Sequence, residues 1–314
     1  MPDLMNTVSG KIAFILFFIL SLSVEINAHP WGGLVIDNEG NIYFTFICPI
    51  EDDNHYACVW KITPSKEMQH VLKAQLSPSD IILSRNLNRD VIAAERSGQN
   101  PRHRNKLWKI EPTDNQLLIP TTSDQSQFHI QSIAVNKKLE VYFANGTDIF
   151  FRDSLDQVQK LNDQSFERIG LTAWGPDEEL YFMSSDDIYI YDGIEYKLLI
   201  SGLRKSNPED IPFSGANIFF DMAVDKDRNV YLAYYGNREI IKISPNGTSE
   251  VILKSEKPWS PHGIDTFNGD IYVLESTIGD GKWWRFWEED PGIVPRVRKI
   301  SANGTVSTVY NYMQ

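Results

Sequence analysis

The chain reads as an all-β protein, a six-bladed β-propeller with four antiparallel strands per blade. Three observations predict this. One phrase recurs: an apolar strand, a turn, a tyrosine-bearing strand, then a third strand of the Trp-Lys-Ile kind, clearest at 34–44 with 59–64 and at 222–232 with 241–247. The copies recur at roughly 40 to 50 residues, the spacing of an array whose units carry four strands each. β-Branched and aromatic residues dominate the runs, and no long helical period follows residue 28, as strands packed on both faces require. A lone four-stranded sheet cannot bury both faces, so the units stack radially around a channel.

Taken in order, six first strands are expected to begin near Leu34, Ile81, Ile133, Leu171, Met222 and Ile264. The second strands hold Ile42-Tyr43-Phe44, Val91-Ile92-Ala93, Val141-Tyr142-Phe143, Leu180-Tyr181-Phe182, Val230-Tyr231-Leu232 and Ile271-Tyr272-Val273. Third strands include Val59-Trp60-Lys61-Ile62, Leu107-Trp108-Lys109-Ile110 and Val297-Arg298-Lys299-Ile300. Fourth strands are weaker, as at 69–72, 250–253 and 306–310. Asn-Gly, Asp-Gly and Pro-Asp pieces fall between the runs, where hairpin turns are needed.

Residues 29–314 therefore form the propeller, and 1–28 stand apart. The apolar stretch from Ile12 to about Val24 follows Lys11 and ends at the small residue Ala28. That pattern is a secretory signal peptide, short for a membrane span; an uncleaved anchor is the alternative. An exported protein, secreted or periplasmic, with no membrane span after cleavage is expected. The 314 residues suffice for one propeller, expected as a monomer. The net charge of −12 argues against a nucleic-acid partner and favours solubility.

The two cysteines, Cys48 and Cys58, lie between the second and third strands of blade one. Antiparallel neighbours can bring such a pair within disulfide range in an oxidising compartment; two buried thiols are the alternative. Asn-Gly-Thr occurs at Asn145, Asn246 and Asn303. These are glycosylation acceptors in an exported eukaryotic protein, or simply hairpin turns that tolerate positive φ.

The phrase Gly-x-x-x-Asp-x-x-Gly-Asn-x-Tyr, with a third strand ending Lys-Ile-x-Pro, resembles the NHL repeat and the related blades of the senescence-marker-protein/gluconolactonase superfamily. The resemblance spans nearly all of 29–314 and implies fold more than activity, because the matching residues are scaffold. Blades two, three and four depart from it: Leu87-Asn88-Arg89 and Lys137-Lys138-Leu139 stand where the turn glycine is expected.

Long segments fall before first strands or between second and third strands, which the topology places on one face. They are 47–57, 96–106, 204–219, 255–262 and the insertion 276–295 with Trp283, Trp284 and Trp287. Loops gathered on one face of a rigid scaffold carry binding sites. The aromatic insertion either closes over the channel mouth or packs as a flap on blade six. Repeat register brings Asp80, Glu95, Asp221, Glu275 and His262 to that mouth. Glu95, Asp221 and Glu275 are candidate ligands for Ca²⁺ or another divalent cation, or caps for neighbouring backbone amides. Arg96, Arg102 or Arg285 is expected to compensate the acids.

The resemblance to gluconolactonase-like proteins implies a metal held by an early glutamate, but the opening His29-Pro30-Trp31-Gly32-Gly33 has none. The peptidyl-hydroxyglycine lyase propeller holds zinc with histidines from several blades. Of His29, His129 and His262, only His262 falls in the mouth register. No Ser-His-Asp order or Gly-x-Ser-x-Gly elbow is present. The expected function is binding of a glycan, peptide, protein or other small-molecule ligand on the loop-rich face. The alternative is a metal-dependent lactonase or esterase.

Overall fold

Short apolar runs separated by tight turns pair with their immediate sequence neighbours, and the result is six sheets of four strands each. A computed structural model describes residues 33–48, 56–74, 79–97, 106–112, 114–119, 132–155, 157–204, 218–277 and 294–311. Blade one is β1 (Leu34–Ile36), β2 (Ile42–Ile47), β3 (Ala57–Ile62) and β4 (Met68–Lys73). Blade two is β5 (Ser79–Arg85), β6 (Val91–Ser97), β7 (Lys106–Ile110) and β8 (Gln116–Ile119). Blade three is β9 (Ser132–Val135), β10 (Val141–Asn145), β11 (Asp148–Arg152) and β12 (Val158–Lys160). Blade four is β13 (Ile169–Trp174), β14 (Leu180–Ser184), β15 (Asp187–Tyr191) and β16 (Tyr196–Ile200). Blade five is β17 (Phe219–Val224), β18 (Val230–Tyr234), β19 (Glu239–Ile243) and β20 (Ser249–Lys254). Blade six is β21 (Trp259–Phe267), β22 (Asp270–Thr277), β23 (Pro295–Ile300) and β24 (Val306–Asn311). Among the described residues there is no helix.

The six-bladed expectation holds. The inner strands β1, β5, β9, β13, β17 and β21 each touch the next, and β21 touches β1, closing the ring. Six apolar cores result, one between each pair of neighbouring blades. Each blade thus buries both faces only through its neighbours, which is why the strands alternate little between apolar and polar.

Two first strands are offset from the expected register. Leu83, rather than Ile81, pairs with Ala93, and Thr172, rather than Leu171, pairs with Phe182. In blade two the shift is two residues. A shift of two preserves which face each side chain occupies, so Ile81 and Leu83 satisfy the apolar pattern equally and sequence alone does not separate them.

The repeated Asp-x-x-x-Asn-x-Tyr element is a hydrogen-bonded hub. Asp37 Oδ1 accepts from the Glu39 and Asn41 N–H groups, while its Oδ2 accepts from Asn41 Nδ2 and Tyr43 Oη. Asp225 repeats every contact with Asp227, Asn229 and Tyr231. The turn glycine, Gly40, has φ 82°. Arg89, Leu139, Glu178 and Arg228 hold the same left-handed position at φ 63°, 63°, 64° and 65°. Loss of the glycine in blades two and three therefore keeps the turn and adds strain of about 1–2 kcal/mol at each site.

Among the described strands each blade is built from four consecutive ones: β1 is the inner strand of blade one and β24 the outer strand of blade six. Side chains close the seam between these two blades. Leu34, Ile36, Phe44, Leu274 and Val297 share one core. In the channel, the Ile36 N–H donates to Asp265 Oδ2 at 2.9 Å, and Arg85 Nε donates to Asp265 Oδ1 at 2.8 Å. Arg89 donates to the Ile36 and Thr266 carbonyls. Blade two thus reaches across blade one to hold blade six. Cys48 and Cys58 are joined in a disulfide with Cα atoms 5.1 Å apart, which fixes the β2–β3 end.

Candidate functional site

Inner strands run from the loop-rich face toward the turns that carry the hubs, so residues at their starts surround the channel mouth. β13, β17 and β21 each carry one extra residue there, because Ile169, Phe219 and Pro261 pair outward of the shift and Leu171, Asp221 and Gly263 inward of it. The extra residues are Gly170, Phe220 and His262, which share one slot of the repeat. Bulges re-aim side chains and recur beside binding sites.

Asp221 follows the blade-five bulge. Its Oδ2 accepts from the Ile264 N–H at 2.8 Å and the Leu34 N–H at 3.3 Å, and its Oδ1 from the Met222 N–H at 2.9 Å. Burial pushes its carboxyl up to about 7, against the pull of those three amides. Asp221 therefore ties the inner strands of blades five, six and one together, as a cap for backbone amides.

Glu275 lies opposite Pro261 on one side and Arg296 on the other. It is fully buried. Arg296 Nε donates to its Oε2 at 2.6 Å, the Ser255 hydroxyl donates to its Oε1, and Arg298 Nη1 lies 3.6 Å from that oxygen. Glu256 accepts from Arg296 Nη1 at 2.7 Å and from Arg298 Nη1 at 3.4 Å. Trp259 stacks on the Arg296 guanidinium at 4.0 Å. The bases that compensate Glu275 are thus Arg296 and Arg298. Of the expected compensators, Arg102 and Arg285 lie outside the described residues, and Arg96 stands opposite Asp80 in the strand register.

Asp80 and Glu95 are buried in blade two, opposite blade five in the ring and separated from blade six by blade one. Glu95 stands opposite Lys106. With the blade-two register corrected, Asp80 lies farther out along its strand than the slot of Asp221. The candidate mouth acids thus come from blades two, five and six. Among the described residues no three His, Cys, Asp or Glu side chains come together to hold a metal ion. Asp221 spends its oxygens on three backbone amides and Glu275 on Arg296 and Ser255.

His262 differs from all of these. It is 3% exposed, and among the described residues neither ring nitrogen has a hydrogen-bond partner. Burial alone pushes its pKa down to about 4, so the imidazole is neutral near pH 7. Arg296 Nη2 and Asn237 Oδ1, at the same end of blades five and six, are also buried without partners. A buried polar group left unmatched costs about 1–3 kcal/mol.

His29, His129, Trp283, Trp284 and Trp287 lie outside the described residues, as do most of the loops 47–57, 96–106, 204–219 and 276–295. Sequence reasoning missed Asp265, Arg85 and Arg296. A signal was present: charged residues inside otherwise apolar inner strands, as in Gly263-Ile264-Asp265 and Leu83-Ser84-Arg85, need partners.

No protein-family model matches the chain, and no curated protein matches it in sequence. Solved structures do match. A streptogramin B lyase is 13% identical with a TM-score of 0.52, covering 91% of this chain and 84% of that one. A catalytically inactive histidine-to-alanine variant of virginiamycin B lyase from Staphylococcus aureus, with quinupristin, is 12% identical with a TM-score of 0.51, covering 91% and 85%. An auxiliary nutrient binding protein from Bacteroides thetaiotaomicron is 14% identical with a TM-score of 0.50, covering 77% of this chain and 65% of that one. At these identities the likeness is one of fold. The class defined is a six-bladed β-propeller whose relatives in shape include both lyases and binding proteins.

Proposed function

We propose that this is an exported NHL-like propeller, with residues 1–28 its signal peptide, that binds a ligand at the channel mouth of blades five and six, where His262 meets it. The observation that carries this reading is His262 itself: a buried imidazole that no group among the described residues satisfies. Blade five fills the same slot with Phe220, so the scaffold does not need a polar residue there. A position that keeps a polar group at a cost to stability is the expected mark of function. The disulfide and the acidic surface accord with an extracytoplasmic protein.

An enzymatic reading is favoured by the same residue. A neutral imidazole at a channel mouth is a competent proton acceptor, and the virginiamycin B lyase variant above lost its activity with one histidine. In this reading His262 takes a proton from bound substrate, and the lactone or ester class remains the substrate to test. No step is assigned to a metal.

The test is a thermal-shift screen of the full chain against mono- and oligosaccharides, short peptides and lactones, run beside His262→Leu. At least one compound class should raise the melting temperature of the wild type saturably and leave the variant unmoved. Equal responses of both proteins to every compound would overturn the reading. Turnover of a lactone or ester by the wild type alone would select the enzymatic form.

A further inference from the structure

The groups left unmatched at this mouth define what a ligand must bring. Around Glu275 every other polar partner is taken: both of its oxygens, the Ser255 hydroxyl, Arg296 Nε and Arg296 Nη1. What remains among the described residues is Arg296 Nη2, which only donates, Asn237 Oδ1, which only accepts, and the two His262 nitrogens, of which a neutral ring donates with one and accepts with the other. Both residues sit at the end of one sheet. Arg296 pairs with Glu275, Glu275 pairs with Pro261, and His262 is the next residue, displaced by the bulge. Arg296 and His262 are 8% and 3% exposed, so each is a built-in, buried donor set rather than a surface side chain.

The charges of the cluster already balance: Arg296 and Arg298 stand against Glu256 and Glu275. A carboxylate or phosphate would bring an uncompensated charge into a buried site beside Asp221, and an ammonium group would meet Arg296. The ligand group must therefore be uncharged. It must accept from Arg296 and also donate to the ring. A secondary amide does both, with a carbonyl that has two lone pairs and an N–H beside it.

Building on the proposed binding role, we infer that the ligand presents an uncharged secondary amide to this mouth, its carbonyl taking the Arg296 Nη2–H and its N–H facing a His262 nitrogen. Such a group occurs in N-acetylated sugars and in peptide bonds. The Trp259 ring, stacked on Arg296, holds the guanidinium in place for it.

Calorimetric titration of the full chain with N-acetylglucosamine, with N-acetyl-L-alanine N′-methylamide, and with glucose and acetate as controls tests this. At least one amide should bind saturably, glucose and acetate should not, and affinity should fall tenfold or more in both His262→Leu and Arg296→Lys. The lysine keeps a charge beside Glu275 but loses the Nη2 donors. Which amide binds tells a sugar source from a peptide source. The inference is overturned if neither amide binds, if acetate binds as well as the amides, or if His262→Leu binds an amide as the wild type does. If an amide fails while a ligand of another class depends on His262, the binding reading stands and only the amide assignment falls.

Discussion

Two buried polar clusters flank the inner end of blade six, and they differ in one respect. On the hub side of the channel, Asp265 meets Arg85, Arg89, the Ile36 amide and its own neighbour's amide at Thr266, and every carboxylate oxygen is engaged. On the mouth side, Glu275 is equally engaged, yet His262 and Arg296 Nη2 beside it are left unmatched. The first cluster closes the ring at the seam of blades one and six. The second is more polar than closure requires. In the proposed reading, the leftover hydrogen-bonding capacity of the second cluster is what a ligand would meet.

The largest expected effect breaks the structural side. Asp265→Ala leaves two guanidinium groups and the Ile36 amide without their acceptor, and removing one partner of a buried pair costs about 3–5 kcal/mol. Denaturant unfolding should show a loss of that size. A loss under 1 kcal/mol would mean that the apolar seam closes the ring unaided.

Next is the disulfide. Replacing Cys48 and Cys58 together by serine releases a loop closed over a separation of 10 residues, and the chain-entropy term for such a loop is about 2–3 kcal/mol. Ligand binding at blades five and six should be unchanged in that variant, because the bond lies at blade one.

The mouth should respond to pH in two opposed ways. His262 has its folded pKa lowered to about 4 from the ordinary 6.5. Its contribution to stability is therefore present above 6.5 and lost as pH falls toward 4, by up to about 3 kcal/mol. Asp221 has its folded pKa raised to about 7 from 3.8. Its contribution is present below 3.8 and lost as pH rises through 7. In His262→Leu the first term is gone, so stability should rise on acidification from pH 7 to pH 4 relative to the wild type. Parallel stability-versus-pH curves for the two proteins would show that His262 titrates as if exposed.

The smallest effect concerns the turns. Glu178 holds φ 64° and makes only an exposed pair with Lys137. Glu178→Gly should stabilise by about 0.5–1 kcal/mol. Arg89→Gly, at φ 63°, should destabilise despite relieving the same strain, because Arg89 also bonds Ile36 and Thr266 across the seam. Equal changes in both would remove Arg89 from the closure.

The fold was legible because blades one and five repeat one hub, whose chemistry requires Asp, Asn and Tyr at fixed spacing, and five of the six second strands carry a tyrosine. What the residues did not reveal is pairing between distant segments. Asp221 and Asp265 look alike as strand acids, and only the folded ring shows that one caps amides while the other meets arginines. Arg296 stands twenty-one residues from Glu275 across a long insertion, so no local pattern joins them. The blade-two register failed for the reason that a two-residue slip is invisible to alternation.

In the proposed ligand-binding role His262 is kept for a ligand and not for the fold. The most direct measurement is the unfolding free energy of His262→Leu at pH 7 beside the wild type. Removing an unmatched buried imidazole in favour of an apolar side chain of similar size should raise stability by about 1–2 kcal/mol. A loss of 1 kcal/mol or more would show that His262 holds the fold together, and would contradict the claim.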